Sequence, residues 1–262
     1  MAKGKPVGEI RRWRCVCAYD GTDYAGWQKQ PTGDSIQDGI ERALEQIFGQ
    51  PILTIGAGRT DAGVHAHGQV FHFDAPWPHE TEAMLQAMRV RFPIGISPRS
   101  LKCVSSRFHA LISAKGKRYR YRVISGWAMP EVERFVHSLK GRFLVTNPMR
   151  EAASHFIGVH DFSSFSASRG KEEEFSKIRK VWKVDILERS GEIQFLVEGE
   201  GFLYKMVRSM VGALMDVGLG KLQPEEVREI LESRKRTERI VSSPAKGLCL
   251  EKVFYRTPEL GK

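Results

Sequence analysis

Residues 58–70 read Gly58-Arg59-Thr60-Asp61-Ala62-Gly63-Val64-His65-Ala66-His67-Gly68-Gln69-Val70. With Gly56-Ala57 ahead of them, small residues crowd around one arginine and one carboxylate. Glycines let the backbone turn sharply and let a ligand come close. An arginine two residues from an aspartate on a tight loop can keep the acid ionised and aim it into a cleft. The same composition also fits a solvated surface turn, and its spacing matches neither a P-loop nor a dinucleotide fingerprint. The flanks carry the fold information: residues 51–55 and about 66–73 are apolar, strand-like runs that this loop must join.

Working outward, residues 13–19 alternate as a strand does, and Asp20-Gly21 turns the chain. Ser35 with Asp38 forms a capping-box pattern, and Ile36, Ile40, Leu44, Ile47 and Phe48 recur at helical spacing until Gly49. A second helix over 81–91 carries Met84, Leu85 and Met88, and a strand near 101–104 follows. The order is βαββαβ. The second half repeats it: a strand at 117–124, then a helix after Asn147-Pro148 bearing Met149, Ala152, Ala153, Phe156 and Ile157, with Gly158 as its stop. A hairpin over 181–188 and 193–198 turns at Ser190-Gly191. A long helix at 203–217, a short one after Pro224 and a strand at 248–255 complete the chain. Element order alone therefore predicts an α/β (α+β) protein of two split-βαβ, ferredoxin-like units, since the halves share no residue-level repeat. The expected divisions are a basic tail (1–12), a first unit (13–110), a second unit (111–256) and a short tail (257–262).

Lys and Arg outnumber Asp and Glu 41 to 31, a formal charge of +10, which suits either a polyanionic partner or simply a basic enzyme. Cys15, Cys17, Cys103 and Cys249 form no CxxC pair and read as reduced thiols. No stretch approaches the roughly 18 apolar residues of a membrane span, and no apolar run follows the basic first residues, so the expectation is a cytoplasmic protein. His65 and His67 should project to one strand face and His72 to the other, so three metal ligands do not converge and no metal is implied.

On the strand at 117–123, Tyr119, Tyr121 and Val123 should share one face and Arg118, Arg120 and Arg122 the other. Three arginines on one face need solvent, phosphate, a second subunit or Asp/Glu partners, and the residues leave these open. Tyr119 alone reads equally as a core aromatic. Arg208 stands in an otherwise apolar helical run, where a charge is either paired or reaches the surface.

The string GRTDAGVHAHGQV resembles the signature loop of TruA-type tRNA pseudouridine synthases. Other stretches similar to that family fall in the same order: YDGTDYAGWQKQ (19–30), SIQDGIERAL (35–44), FHA (108–110), KRYRYRV (117–123), HDFSSF (160–165), FLYKMVRSMVGALMDVG (202–218) and PAKGLCLEKVFY (244–255). The resemblance implies the pseudouridine synthase fold, with its two units joined in a continuous, mainly antiparallel sheet. It implies a homodimer without cofactor, acting on uridines 38, 39 and 40 of the tRNA anticodon arm. By the same resemblance Asp61 is the nucleophile, Tyr119 stacks on the uracil and serves proton transfer, and Arg208 ion-pairs with the aspartate. Arg59 helps displace the target base, and Arg118 and Arg120 are candidate substrate contacts. A non-catalytic RNA-binding protein of the same fold is the rival reading, but mere binding would not require Asp61, Tyr119 and Arg208 together. The chain departs from the family at Leu111, where an arginine is usual after FHA, and over Arg89 to Ile96, which lacks the usual asparagine and aspartate. These departures bear on which uridines are reached.

Overall fold

The computed structural model describes residues 8–168, 176–189 and 191–257. Most of the basic N-terminal tail, Ser190 of the expected hairpin turn and the chain after residue 257 lie outside the described residues. The chain folds as two compact units, one running up to Ala114 and taking in Leu250–Arg256, the other covering Lys115–Cys249.

The first unit follows the βαββαβ order: β1 (Ile10–Tyr19), α1 (Ile36–Phe48), β2 (Ile55–Gly56), β3 (His65–Pro76), α2 (Thr81–Arg91) and β4 (Ile96–Val104). β1 is central, antiparallel to both β3 and β4, and β2 is a short partner of β3. Helix α1 forms where local signals demand it. The Ser35 and Asp38 side chains satisfy each other's backbone in a full capping box, and Gly49 closes the helix in the left-handed region at φ 70°. Its stripe of Ile36, Ile40 and Leu44 packs into a core with Trp13, Cys15, Cys17, Phe71 and Phe73, all fully or nearly fully buried. Each such side chain removed from water stabilises the fold by about 1.5–3 kcal/mol.

The second unit comprises β5 (Gly116–Ile124), α3 (Pro130–Glu133), β6 (His137–Ser138), α4 (Thr146–Ser154), β7 (Gly158–Asp161), β8 (Ile178–Arg189), β9 (Glu192–Gly199), α5 (Met206–Gly218) and α6 (Pro224–Ser233). Its strands run β5-β9-β8-β7, antiparallel throughout, with β6 added parallel to β5. The structure differs from three expectations. In the first unit the strand expected over residues 51–55 is reduced to β2, with 51–54 outside the sheet. Gly158 does not stop α4: the helix ends at Ser154 with His155 still right-handed, and Gly158, at φ 123°, opens β7 instead. Helix α5 starts at Met206 rather than residue 203, because Lys205 sits left-handed at φ 57° and cannot continue a helix backward. The last strand, β10 (Leu248–Phe254), neighbours β3, which returns Leu250–Arg256 to the first unit.

One buried histidine ties the FHA segment to the first unit's sheet. His72 on β3 is 3% exposed, and its Nδ1 accepts the Ala110 amide at 3.1 Å. Burial, reinforced by the charges of Arg12 and His109, pulls its pKa down to about 4. The unfolded chain takes up this proton near pH 6.5, whereas the folded chain resists until about pH 4. The stability held above pH 6.5 therefore falls across that window, by up to about 3 kcal/mol at 1.36 kcal/mol per unit. Urea midpoints measured from pH 7 to pH 4 should drop more steeply in the native protein than in His72→Gln; parallel curves would refute this.

Candidate active site

The loop between β2 and β3 is held from below by the segment that follows β1. Ala57 donates its amide to the Val70 carbonyl at 2.7 Å, and the Gln69 side chain donates to the Gly58 carbonyl at 2.9 Å. The buried hydroxyls of Tyr19 and Thr60 lie 2.8 Å apart, and the Trp27 amide donates to the Thr60 carbonyl at 3.0 Å. Three glycines allow this closeness. A Cβ on Gly21 would stand 2.0 Å from the Val64 carbonyl oxygen, one on Gly56 2.5 Å from the Trp27 indole, and one on Gly26 2.6 Å from the Thr60 carbonyl oxygen. The stretch YDGTDYAGWQ is thus the platform on which the GRTD loop rests.

Asp61 emerges half-buried from this platform, at the head of a turn in which its carbonyl accepts the Val64 amide at 3.1 Å and Gly63 adopts φ 74°. Arg59 is exposed beside it, its Nε donating to the Gln28 side chain at 3.1 Å. The departing segment 89–96 bears on the same platform, since the Asp20 amide donates to the Gly95 carbonyl at 2.9 Å, while Ile94 stands fully exposed. Leu111 is also exposed.

In the second unit the expected alternation on β5 holds: Tyr119, Tyr121 and Val123 are buried, and Arg118, Arg120 and Arg122 lie half-exposed on the opposite face. Tyr119 meets Phe202 edge-on, ring centroids 5.4 Å apart. Tyr121 donates its hydroxyl to the Pro244 carbonyl at 2.9 Å, and its ring excludes any side chain at Gly247. Carboxylates from β9 meet two of the arginines. Arg118 reaches Glu198 at 2.7 Å, and Arg122 grips both oxygens of Glu192 at 2.8 and 2.6 Å. Burial alone would raise the Glu192 pKa; the hydrogen bonds from Arg122 and Gln194 overcome it, and the net shift is downward. Arg208, half-buried on α5, donates from Nε to the Ser243 carbonyl at 2.7 Å.

The three histidines of β3 do not form a ligand set. His65 is buried and accepts the Gly21 amide, His67 is exposed beside Glu251, and His72 faces His109 and Ala110. Strict alternation would put His65 and His67 on one face, but a bulge opposite Cys17–Tyr19 inserts a residue into β3 between Ala66 and Gln69 and breaks the alternation there.

A family described as tRNA pseudouridine synthase matches residues 152–256. Three bacterial proteins named tRNA pseudouridine synthase A extend the similarity over almost the whole chain. That of Exiguobacterium sibiricum is 37% identical over 96% of this chain and 100% of its own length. That of Bacillus subtilis is 38% identical over 93% and 99%, and that of Chlamydia muridarum 41% over 92% and 91%. The chain belongs to the tRNA pseudouridine synthase family. Among the residues that sequence reasoning did not single out, Gln69, Ser243 and Arg236 stand out within this family member: Gln69 holds the loop of Arg59 and Asp61, the Ser243 carbonyl accepts from Arg208, and Arg236 ties the segment of Ser243 to the helix of Arg208. Their signal was absent because each acts through partners distant in sequence or through a main-chain carbonyl.

Proposed function

We propose that this chain isomerises uridine to pseudouridine in the anticodon arm of tRNA, at positions 38, 39 and 40, with Asp61 as the nucleophile. What supports the reading most is the GRTD loop itself, an aspartate presented on a backbone pinned at Ala57, Gly58 and Thr60. Pseudouridine forms when the N1–C1′ bond breaks, a C5–C1′ bond forms, and the proton lost from C5 is balanced by one gained at N1. Nothing is oxidised or reduced and no heavy atom is gained or lost, so one ionised carboxylate can serve. It can attack C1′, add to C6 of the uracil, or remove the 2′ proton.

In this reading Tyr119 stacks on the uracil and takes part in proton transfer, Arg208 is the cation that keeps the aspartate ionised, and Arg59 enters the space left by the displaced base. Tyr119 and Arg118 point to opposite faces of β5, so one uridine cannot meet both. Arg118 and Arg120 are therefore assigned to RNA backbone remote from the reacting base, with Arg118 already matched by Glu198. The enzyme is proposed to act as a homodimer in the cytoplasm. None of the described helices is long and apolar enough to cross a membrane.

Tritium release from 5-tritiated uridine in unmodified tRNA, with mapping of the modified positions, tests the activity; binding without release would make the chain an RNA-binding protein only. Tyr119→Phe keeps the ring and loses the hydroxyl. Its tRNA affinity should stay within about twofold, while turnover falls by roughly 10²- to 10⁴-fold, the usual worth of a positioned proton-transfer group. Full activity would reduce Tyr119 to packing.

A further inference from the structure

The main chain beside Arg208 is welded to its helix by a second arginine. Residues 240–243 run against the first turns of α5 so closely that a Cβ on Gly212 would stand 2.1 Å from the Val241 carbonyl oxygen. Ser243 is bracketed by Arg208 from two sides: its amide donates to the Arg208 carbonyl at 3.0 Å, and its carbonyl accepts the Arg208 Nε at 2.7 Å. One residue along each element, the hydroxyls of Ser209 and Ser242 lie 2.9 Å apart. Arg236 grips both, donating from Nη1 to Ser209 at 3.1 Å and from Nη2 to Ser242 at 3.3 Å, and it also donates from Nη2 to the Ile240 carbonyl at 2.9 Å.

All three acceptors are neutral, although burial holds the pKa of Arg236 below the ordinary arginine value. A half-buried cation that meets no carboxylate among the described residues adds little stability, and an apolar side chain of similar size would serve that purpose as well or better. What the planar fork supplies is geometry, because three acceptors on two elements are fixed at once.

We propose that Arg236 is a positioning residue for Arg208: with Ser209 and Ser242 it locks residues 240–243 onto α5, so that the Ser243 carbonyl holds the Arg208 guanidinium in one orientation. The inference rests on the role given to Arg208 above. Without the fork, Ser243 can drift and the guanidinium is no longer aimed.

The test is a double-mutant cycle on single-turnover isomerisation at saturating enzyme, with tRNA affinity and urea unfolding measured in parallel. Arg236→Gln should lose about 10- to 100-fold in rate, the scale of an ångström of misplacement, with tRNA affinity within twofold. Arg236→Lys, able to reach some of the acceptors, should recover part of the loss. In an Arg208→Gln background, Arg236→Gln should cost nothing further, since the group it positions is gone. If Arg236→Gln fails to fold, Ser242→Ala and Ser209→Ala replace it in the cycle. A wild-type rate for the Arg236 variants, or losses that multiply, would overturn the proposal while leaving Arg208 in place. A wild-type rate for Arg208→Gln would instead remove the reading on which it stands.

Discussion

Asp61→Asn should reduce isomerisation by at least about 10⁴-fold, the scale seen when a nucleophile is removed and only binding and electrostatic help remain. The amide is nearly isosteric, and the contacts that pin the loop at Ala57, Gly58 and Thr60 are left in place by the substitution. Folding should therefore survive, and tRNA affinity should stay within a few fold. Both outcomes are needed: rate from tritium release under single-turnover conditions, affinity from equilibrium binding to unmodified tRNA. Turnover within tenfold of the native enzyme would take the nucleophile assignment away from Asp61. Loss of binding together with rate would mean that the carboxylate organises the RNA site and does not react.

How much of this could be read from the chain depended on the range of the interactions involved. Helix α1 was legible because its determinants are local: Ser35, Asp38, the apolar stripe and Gly49 all lie within one helix length. The faces of β5 were legible from alternation alone. What the arginine face meets was not, because Glu198 is 80 residues from Arg118 and Glu192 is 70 from Arg122, and only the β5–β9 register brings them together. The Asp61 loop stood out through its own composition, whereas its supports, Tyr19, Trp27 and Gln69, lie in stretches that carry the family resemblance but, apart from it, have no pattern that distinguishes them from core residues. Gly158 misled because a glycine after an apolar periodic run signals a helix end, whereas here α4 had already closed and the residue serves a strand entry at φ 123°. The place of β10 was equally hidden, since a strand's partners are set by packing and not by chain order.

Gly26 offers the sharpest test that the platform, and not only the loop, makes the site. Its φ of 96° lies where L side chains rarely go, and an added Cβ would meet the Thr60 carbonyl oxygen at 2.6 Å and the Asp61 carbonyl carbon at 3.0 Å. Both obstacles are backbone, so neither can swing aside. Gly26→Ala must push the main chain at the position that presents Asp61, the proposed nucleophile. The cost in stability should be about 2–4 kcal/mol, combining backbone strain with overpacking. The cost in rate should exceed roughly 100-fold among molecules that remain folded, since displacement of a reacting group by an ångström is worth that much. Gly33 supplies the control within the same unit. It too has positive φ, 71°, but the nearest atom to an added Cβ is the tip of the Arg42 side chain, at an ordinary contact distance of 3.6 Å. Gly33→Ala should therefore lose only about 1–2 kcal/mol and keep its rate. Urea unfolding with single-turnover rates, both measured where each variant is folded, separates the two effects. A Gly26→Ala enzyme that is destabilised like Gly33→Ala yet turns over at the native rate would show that the Asp61 loop tolerates the shift, and that the YDGTDYAGWQ segment stabilises the fold without setting the geometry of catalysis.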